Sequence, residues 1–133
     1  NRKERQRSFW RPGAPPPRAL FFQKPKENTM RITELKSAER VPIDIDARKM
    51  LVRKECELIH LSLKPGEVLA VHSNPFDVAF YTLAGTGELT IGEETRIMTP
   101  DSVVEVAAGE MRGWKNTGSD ELRVLVLKVL VTT

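Results

Sequence analysis

One cysteine, two histidines and one tyrosine stand among 133 residues, and each scarcity removes a class of function. A lone thiol, Cys56, cannot build an internal disulfide framework or a multi-cysteine zinc knuckle. That usage fits a reducing compartment, and the cytoplasm is the expected location. No apolar run approaches the roughly 20 residues that cross a membrane as a helix, so no membrane partner is expected. A secretory signal is not expected either: the first 29 residues begin basic, but their apolar patches, Phe9-Trp10 and Leu20-Phe21-Phe22, are short and broken by prolines. Glycine-rich phosphate loops and the Gly-x-Ser-x-Gly elbow are missing, as is any Cys/His/Asp set in a recognisable local context. Cys56 falls on a strand with only Lys54 near it in sequence to favour a thiolate, which reads as packing rather than nucleophile.

What is present is unevenly distributed. The chain is 40% hydrophobic and 29% charged, an ordinary globular composition of one domain's length. The net charge of +3 arises in residues 1–29, where eight Lys/Arg face only Glu4 and Glu27. Residues 30–133 carry thirteen Lys/Arg against sixteen Asp/Glu and are therefore acidic. The basic character belongs to an arm, so it is no sign that the folded body binds nucleic acid, and no nucleic-acid partner is expected.

The arm also holds five of the nine prolines, a composition that favours extended conformations over a packed core. A boundary near Met30 gives an arm over 1–29 and a single domain over 30–133. Met30-Arg31-Ile32 opens the first patterned stretch, so the arm reads as appended or leader sequence with Met30 as natural start, or as a native segment. In the second case its charges would contact phosphates, or Phe21-Phe22 would anchor it on the body or on a neighbouring subunit.

From Val41 onward apolar residues recur with period two or in short continuous runs, never with sustained helical spacing. Nine strands are predicted, over 49–53, 57–64, 68–72, 78–84, 87–91, 95–98, 102–106, 112–115 and 121–131. Turn chemistry separates them, as in Pro65-Gly66, Gly85-Thr86-Gly87 and Asn116-Thr117-Gly118. So many short strands predict an all-β sandwich or closed barrel, closure being the way to remove exposed edges. The last strand, apolar on both faces over most of its length, reads as a central strand, with a second cover expected from the arm or another subunit.

Two segments carry a family resemblance. The stretch from Lys64-Pro65-Gly66 through His72, Asn74 and Val78 to Gly85 resembles the first motif of the cupin superfamily, which runs Gly, five residues, His, one, His, three or four, Glu, six, Gly. Asp101 to Asn116, through Ala107, Gly109 and Arg112, resembles the second, which runs Gly, five, Pro, one, Gly, two, His, three, Asn. The resemblance implies a small jelly-roll barrel, a double-stranded β-helix, in a family whose members are usually dimers with a ligand pocket in the barrel mouth.

The departures bear on function. The family's metal ligands fall on His72, which is kept, and on Asn74, Val78 and Arg112, where His, Glu and His are expected. Valine offers no donor and arginine is a permanent cation, so the implied metal site reads as dismantled and no cofactor is favoured. Two rescues are weighed. Asp77 sits one position before the expected Glu, on the opposite face of a strand unless a bulge intervenes. His60 shares a face with Cys56 and Ser62, and that face looks into the lumen if Ile59, Leu61 and Leu63 pack in the wall. The plainer reading of His60 is a hydrogen-bonded structural histidine.

The motif positions now hold an imidazole, an amide and a fixed planar cation, with Tyr81 and Trp114 as candidate aromatic walls. Guanidinium matches carboxylate, sulfate or phosphate, so the expected ligand is a small anion bound without metal, in a homodimeric barrel. The plainer reading of Arg112 has it paired with Glu105 or Glu110. The alternative is a metal-dependent oxygenase or sugar isomerase using His72 with His60 and Asp77.

Overall fold

β-Branched and apolar residues alternate with polar ones between turn residues, and the backbone follows that period. The computed structural model describes Gly13 and residues 30–131, so the arm over 1–29 lies, Gly13 apart, outside the described residues. Two units divide the chain, Asn1–Ile32 and Thr33–Thr133, and all ten strands belong to the second. A 3-10 turn over Leu35–Ser37 precedes them. The strands are β1 (Glu39–Arg40), β2 (Asp46–Val52), β3 (Cys56–Leu63), β4 (Val68–His72), β5 (Asp77–Ala84), β6 (Gly87–Ile91), β7 (Glu94–Met98), β8 (Val103–Val106), β9 (Arg112–Lys115) and β10 (Leu122–Val129). Among the described residues no helix is long and apolar enough to cross a membrane.

Two antiparallel sheets pack face to face as a jelly-roll barrel. One has six strands in the order β1-β2-β3-β10-β5-β8, the other four in the order β4-β9-β6-β7. All nine predicted strands are present. The two-residue β1 escapes prediction because so short a segment carries no periodicity. β2 begins three residues earlier than predicted, because buried Ala47 continues the inward face started by Ile45.

Alternation sets the core. Ile59, Leu61 and Leu63 of β3, Val78 and Phe80 of β5, and Leu122, Val124 and Val126 of β10 all point inward with Leu89 and Trp114 of the smaller sheet. β10 lies centrally between β3 and β5, as read from its sequence. Its outer face is less covered than its composition suggests: Leu127 and Val129 are 38% and 39% exposed. Among the described residues the second sheet packs only against the inner face of this one.

Two turns show how the motif positions hold the barrel. Gly85 has φ +81°, and a Cβ there would overlap the Glu121 carbonyl oxygen, so the β5–β6 turn closes onto the start of β10 only with glycine. Asp101 stands in the slot where the second motif has glycine and adopts φ +65°, a left-handed conformation that a short polar side chain tolerates. Asn116, also a motif position, is buried. Its Nδ2 donates to the carbonyls of Leu63 and Asp120 at 2.8 Å each, and its Oδ1 accepts from the Gly118 amide at 2.9 Å.

Candidate ligand site in the barrel mouth

Strand alternation alone would put Leu69 and Val71 on one face of β4 and His72 on the other. The register departs from that. Leu69 pairs with Trp114 and His72 with Arg112, three steps along β4 against two along β9. The extra residue is a β-bulge, which reverses the parity of the strand beyond it. Val71 is thereby turned outward, where it is half exposed, and His72 joins Leu69 in lining the cavity. Gly113 lies beneath the bulge: a Cβ there would sit 2.8 Å from the Leu69 carbonyl oxygen and 2.9 Å from the Val71 amide nitrogen. Gly113 therefore permits the bulge, which is on β4, and leaves Arg112 and Trp114 on one inward face.

Arg112 is 1% exposed. Its Nη1 donates to the Glu110 carbonyl at 3.1 Å. The Asn74 amide satisfies its surroundings in one orientation, with its oxygen accepting from Arg112 Nη2 at 2.6 Å and its nitrogen donating to the Ser73 carbonyl at 3.2 Å. Nε has no partner. Among the described residues no carboxylate forms an ion pair with this guanidinium, so the pairing with Glu105 or Glu110 is not made; Glu110 contributes only its backbone. Burial pushes the guanidinium below its ordinary pKa, and it stays a cation. His72 Nδ1 lies 2.8 Å from the Ala70 carbonyl oxygen, which can only accept, so Nδ1 carries hydrogen and Nε2 remains for another partner.

These groups border a cavity of about 380 Å³, room for roughly a dozen waters at about 30 Å³ each. Its two walls differ in chemistry. The four-stranded sheet supplies His72 and Arg112 beside Leu69 and Ala70, joined by Asn74 from the loop after β4. The six-stranded sheet supplies Ile59, Leu61, Val78, Phe80 and Val126. Among the described residues no lining residue is acidic. Lys128 completes the large-sheet wall, a residue that sequence reasoning missed although the signal was available: Leu122, Val124 and Val126 alternate inward along β10, and position 128 is next in that series. Its Nζ lies 3.7 Å from Glu57 Oε1 and 5.8 Å from the centre of the Phe76 ring.

Four candidate residues lie elsewhere. Trp114 shares a face with Arg112 but sits deeper, fully buried with its ring edge-on to Phe80 at 5.5 Å, so Phe80 rather than Trp114 supplies the aromatic wall. Tyr81 points outward because Phe80 beside it points inward, and its hydroxyl donates to Asp101 Oδ1 at 3.0 Å. His60 does not look into the lumen. In so small a barrel the lumen is the core, so Ile59, Leu61 and Leu63 take the inner face and His60 the outer. There its Nε2 accepts from Arg123 Nε at 3.1 Å, the structural arrangement that was the plainer reading. Asp77 Oδ1 accepts from the Ala108 amide at 2.8 Å, and the bulge that would have turned it inward lies on β4 instead.

The family's metal positions can be tested against these side chains. Val78 is buried and apolar, and Arg112 brings a cation to the point where a ligand is needed. Among the described residues no three His, Cys, Asp or Glu side chains come together in a group able to hold a metal ion. His72, His60 and Asp77 are not brought together. The residues present do not fit a divalent metal.

Comparison with known proteins agrees with the fold. A family model described as a cupin domain matches residues 59–128. No curated protein matches the chain. Among solved structures, a protein of Thermus thermophilus is 24% identical with a TM-score of 0.66, over 75% of this chain and 97% of that one. A predicted oxalate decarboxylase from Thermotoga maritima is 19% identical with a TM-score of 0.67, over 77% and 100%. The polyketide cyclase RemF from Streptomyces resistomycificus is 16% identical with a TM-score of 0.68, over 77% and 80%. At these identities the likeness is one of fold. With both spaced motifs in place, ten strands in two antiparallel sheets and the family model spanning β3 to β10, the chain belongs to the cupin family.

Proposed function

We propose that the barrel mouth binds a small anionic molecule without a metal, with Arg112 as the principal contact and Asn74 and His72 orienting the rest. The observation that carries this reading is the state of Arg112: nearly all of its surface is removed from water, and among the described residues its Nε has no partner and no carboxylate answers its charge. A buried, uncompensated guanidinium is costly, and a bound anion offsets that cost with charge-assisted hydrogen bonds. The absence of acidic groups from the cavity wall supports the same sign of ligand.

The reading places the protein in the cytoplasm as a homodimer. The outer face of the six-stranded sheet supports the dimer: Leu51, Leu58, Leu127 and Ala79 follow one another in register across four strands with no charge between them. Such a row is an apolar surface suited to a second copy of itself.

The test is a thermal titration of the full chain with acetate, sulfate and phosphate. A melting temperature that rises with concentration and no longer rises in Arg112→Met supports the reading, since a ligand of the native state stabilises by mass action. A flat response to small anions across the whole series would sink it.

A further inference from the structure

The two walls of the cavity specify more than the sign of the ligand's charge. We propose that the molecule bound here is a singly charged carboxylic acid with an apolar body, aliphatic or aromatic; this rests on the reading of the mouth as an anion site.

Charge sets the first limit. Two basic residues border the cavity, but Lys128 already has Glu57 at 3.7 Å and stands over the Phe76 ring. Among the described residues Arg112 is the lining cation without a counter-charge, so one negative charge completes the site and a second would be desolvated without one. The acid head belongs on the four-stranded sheet, where the free Nε of Arg112 is found and where Asn74 already holds Nη2.

The opposite wall sets the second limit. Ile59, Leu61, Val78, Phe80 and Val126 present only hydrocarbon to the cavity. A polyhydroxylated acid laid against them would lose water from each hydroxyl and find no partner there, at about tenfold in affinity or more per hydroxyl. An alkyl or aryl body instead removes its own apolar surface and that of the wall from water. On this wall Lys128 is the polar residue, and its Nζ is turned to Glu57 and the Phe76 ring; Asn74 and His72 Nε2 lie on the acid's side of the cavity.

Calorimetric titration of the full chain decides the matter, with octanoate and phenylacetate set against acetate, gluconate, inorganic phosphate and the neutral alcohol octanol. The expected result is that octanoate or phenylacetate binds about tenfold or more tightly than acetate, gluconate or phosphate, with a negative heat-capacity change. Arg112→Met is expected to remove that binding. Val126→Thr, which puts a hydroxyl on the hydrocarbon wall, is expected to weaken octanoate more than acetate and so narrow the gap between them, which covers the case in which Arg112→Met fails to fold. If gluconate or phosphate binds as well as octanoate or better and still depends on Arg112, the apolar-acid inference is overturned and the anion reading stands. If octanol binds as well as octanoate, or if none of these probes binds, both fall.

Discussion

His72 and Arg112 face each other across β4 and β9 because one extra residue bulges out of β4 between Leu69 and His72. Without that residue the imidazole would point to solvent. The close approach of Gly113 to the Leu69 carbonyl and the Val71 amide makes room for the bulge. Site geometry in this barrel thus depends on a residue that takes no part in the site.

Gly113→Ala is accordingly expected to lower stability by about 1–3 kcal/mol, the range for forcing extra carbon into packed space. It should also weaken anion binding, since relief of the contact shifts β4 against β9. Urea denaturation gives the first quantity and the titrations above the second. An unchanged urea midpoint would mean that the bulge relaxes at no cost.

Asn116 closes the end of the β9–β10 connection through three hydrogen bonds made by one buried amide. Asn116→Ala leaves the Leu63 and Asp120 carbonyls and the Gly118 amide to find new partners, with an expected loss of about 2–4 kcal/mol. Asn116→Asp keeps the acceptor for Gly118 but turns a charged oxygen toward two carbonyls, and is expected to be no better than the alanine variant. A midpoint within error of wild type for either variant contradicts the assignment.

His60 gives the fold an acid sensitivity. Burial first, then the Arg123 guanidinium, hold its imidazole below the ordinary value of 6.5, with Asp46 and Glu121 opposing. Above that value both the folded and the unfolded chain carry neutral His60, and its contribution to stability is complete. As pH falls through 6.5 the unfolded chain takes up the proton first, so stability is lost until the lower folded value is reached. His60→Gln keeps an acceptor for Arg123 and is expected to flatten the fall in urea midpoint between about pH 7.5 and about pH 5. Parallel curves for wild type and variant would assign the effect to other groups.

Purified protein is expected to hold zinc, iron, manganese and nickel only below stoichiometry, with no change in melting temperature on chelation, because the donor set at the family's metal positions is incomplete. One equivalent per chain that disappears in His72→Ala would reverse this and favour metal chemistry.

Light scattering is expected to return twice the chain mass of 15.0 kDa. Leu127→Lys, which puts a charge into the middle of the outer apolar row, is expected to shift the mass toward one chain without unfolding it, since Leu127 is on the exposed face. A monomeric wild type at micromolar concentration would remove the second copy from consideration.

Strand identity and family were legible in the sequence because both depend on local pattern. Period-two alternation fixes which residues can share a face, and the spacing from Gly66 to Gly85 and from Asp101 to Asn116 fixes where the turns fall. The same pattern contained Lys128, one step beyond Val126 in the inward series of β10. Which face of each strand looks inward could not be read for β3, since Ile59-Leu61-Leu63 and His60-Ser62 alternate equally well in either sense. Packing decided it: the lumen of so small a barrel must be filled with hydrocarbon, and His60 went outside with Arg123. The depth of Trp114 beneath Arg112 likewise follows from its edge-on packing against Phe80 across the sheets. The sequence determined the barrel, its turns and the replacement of metal ligands at Asn74, Val78 and Arg112. The motif resemblance implied that His72 joins Asn74 and Arg112 in the mouth; only tertiary structure decided how, because parity along β4 is reversed by a bulge whose only sequence trace is the small residue opposite it, and alternation read along one strand carries no information about its neighbour.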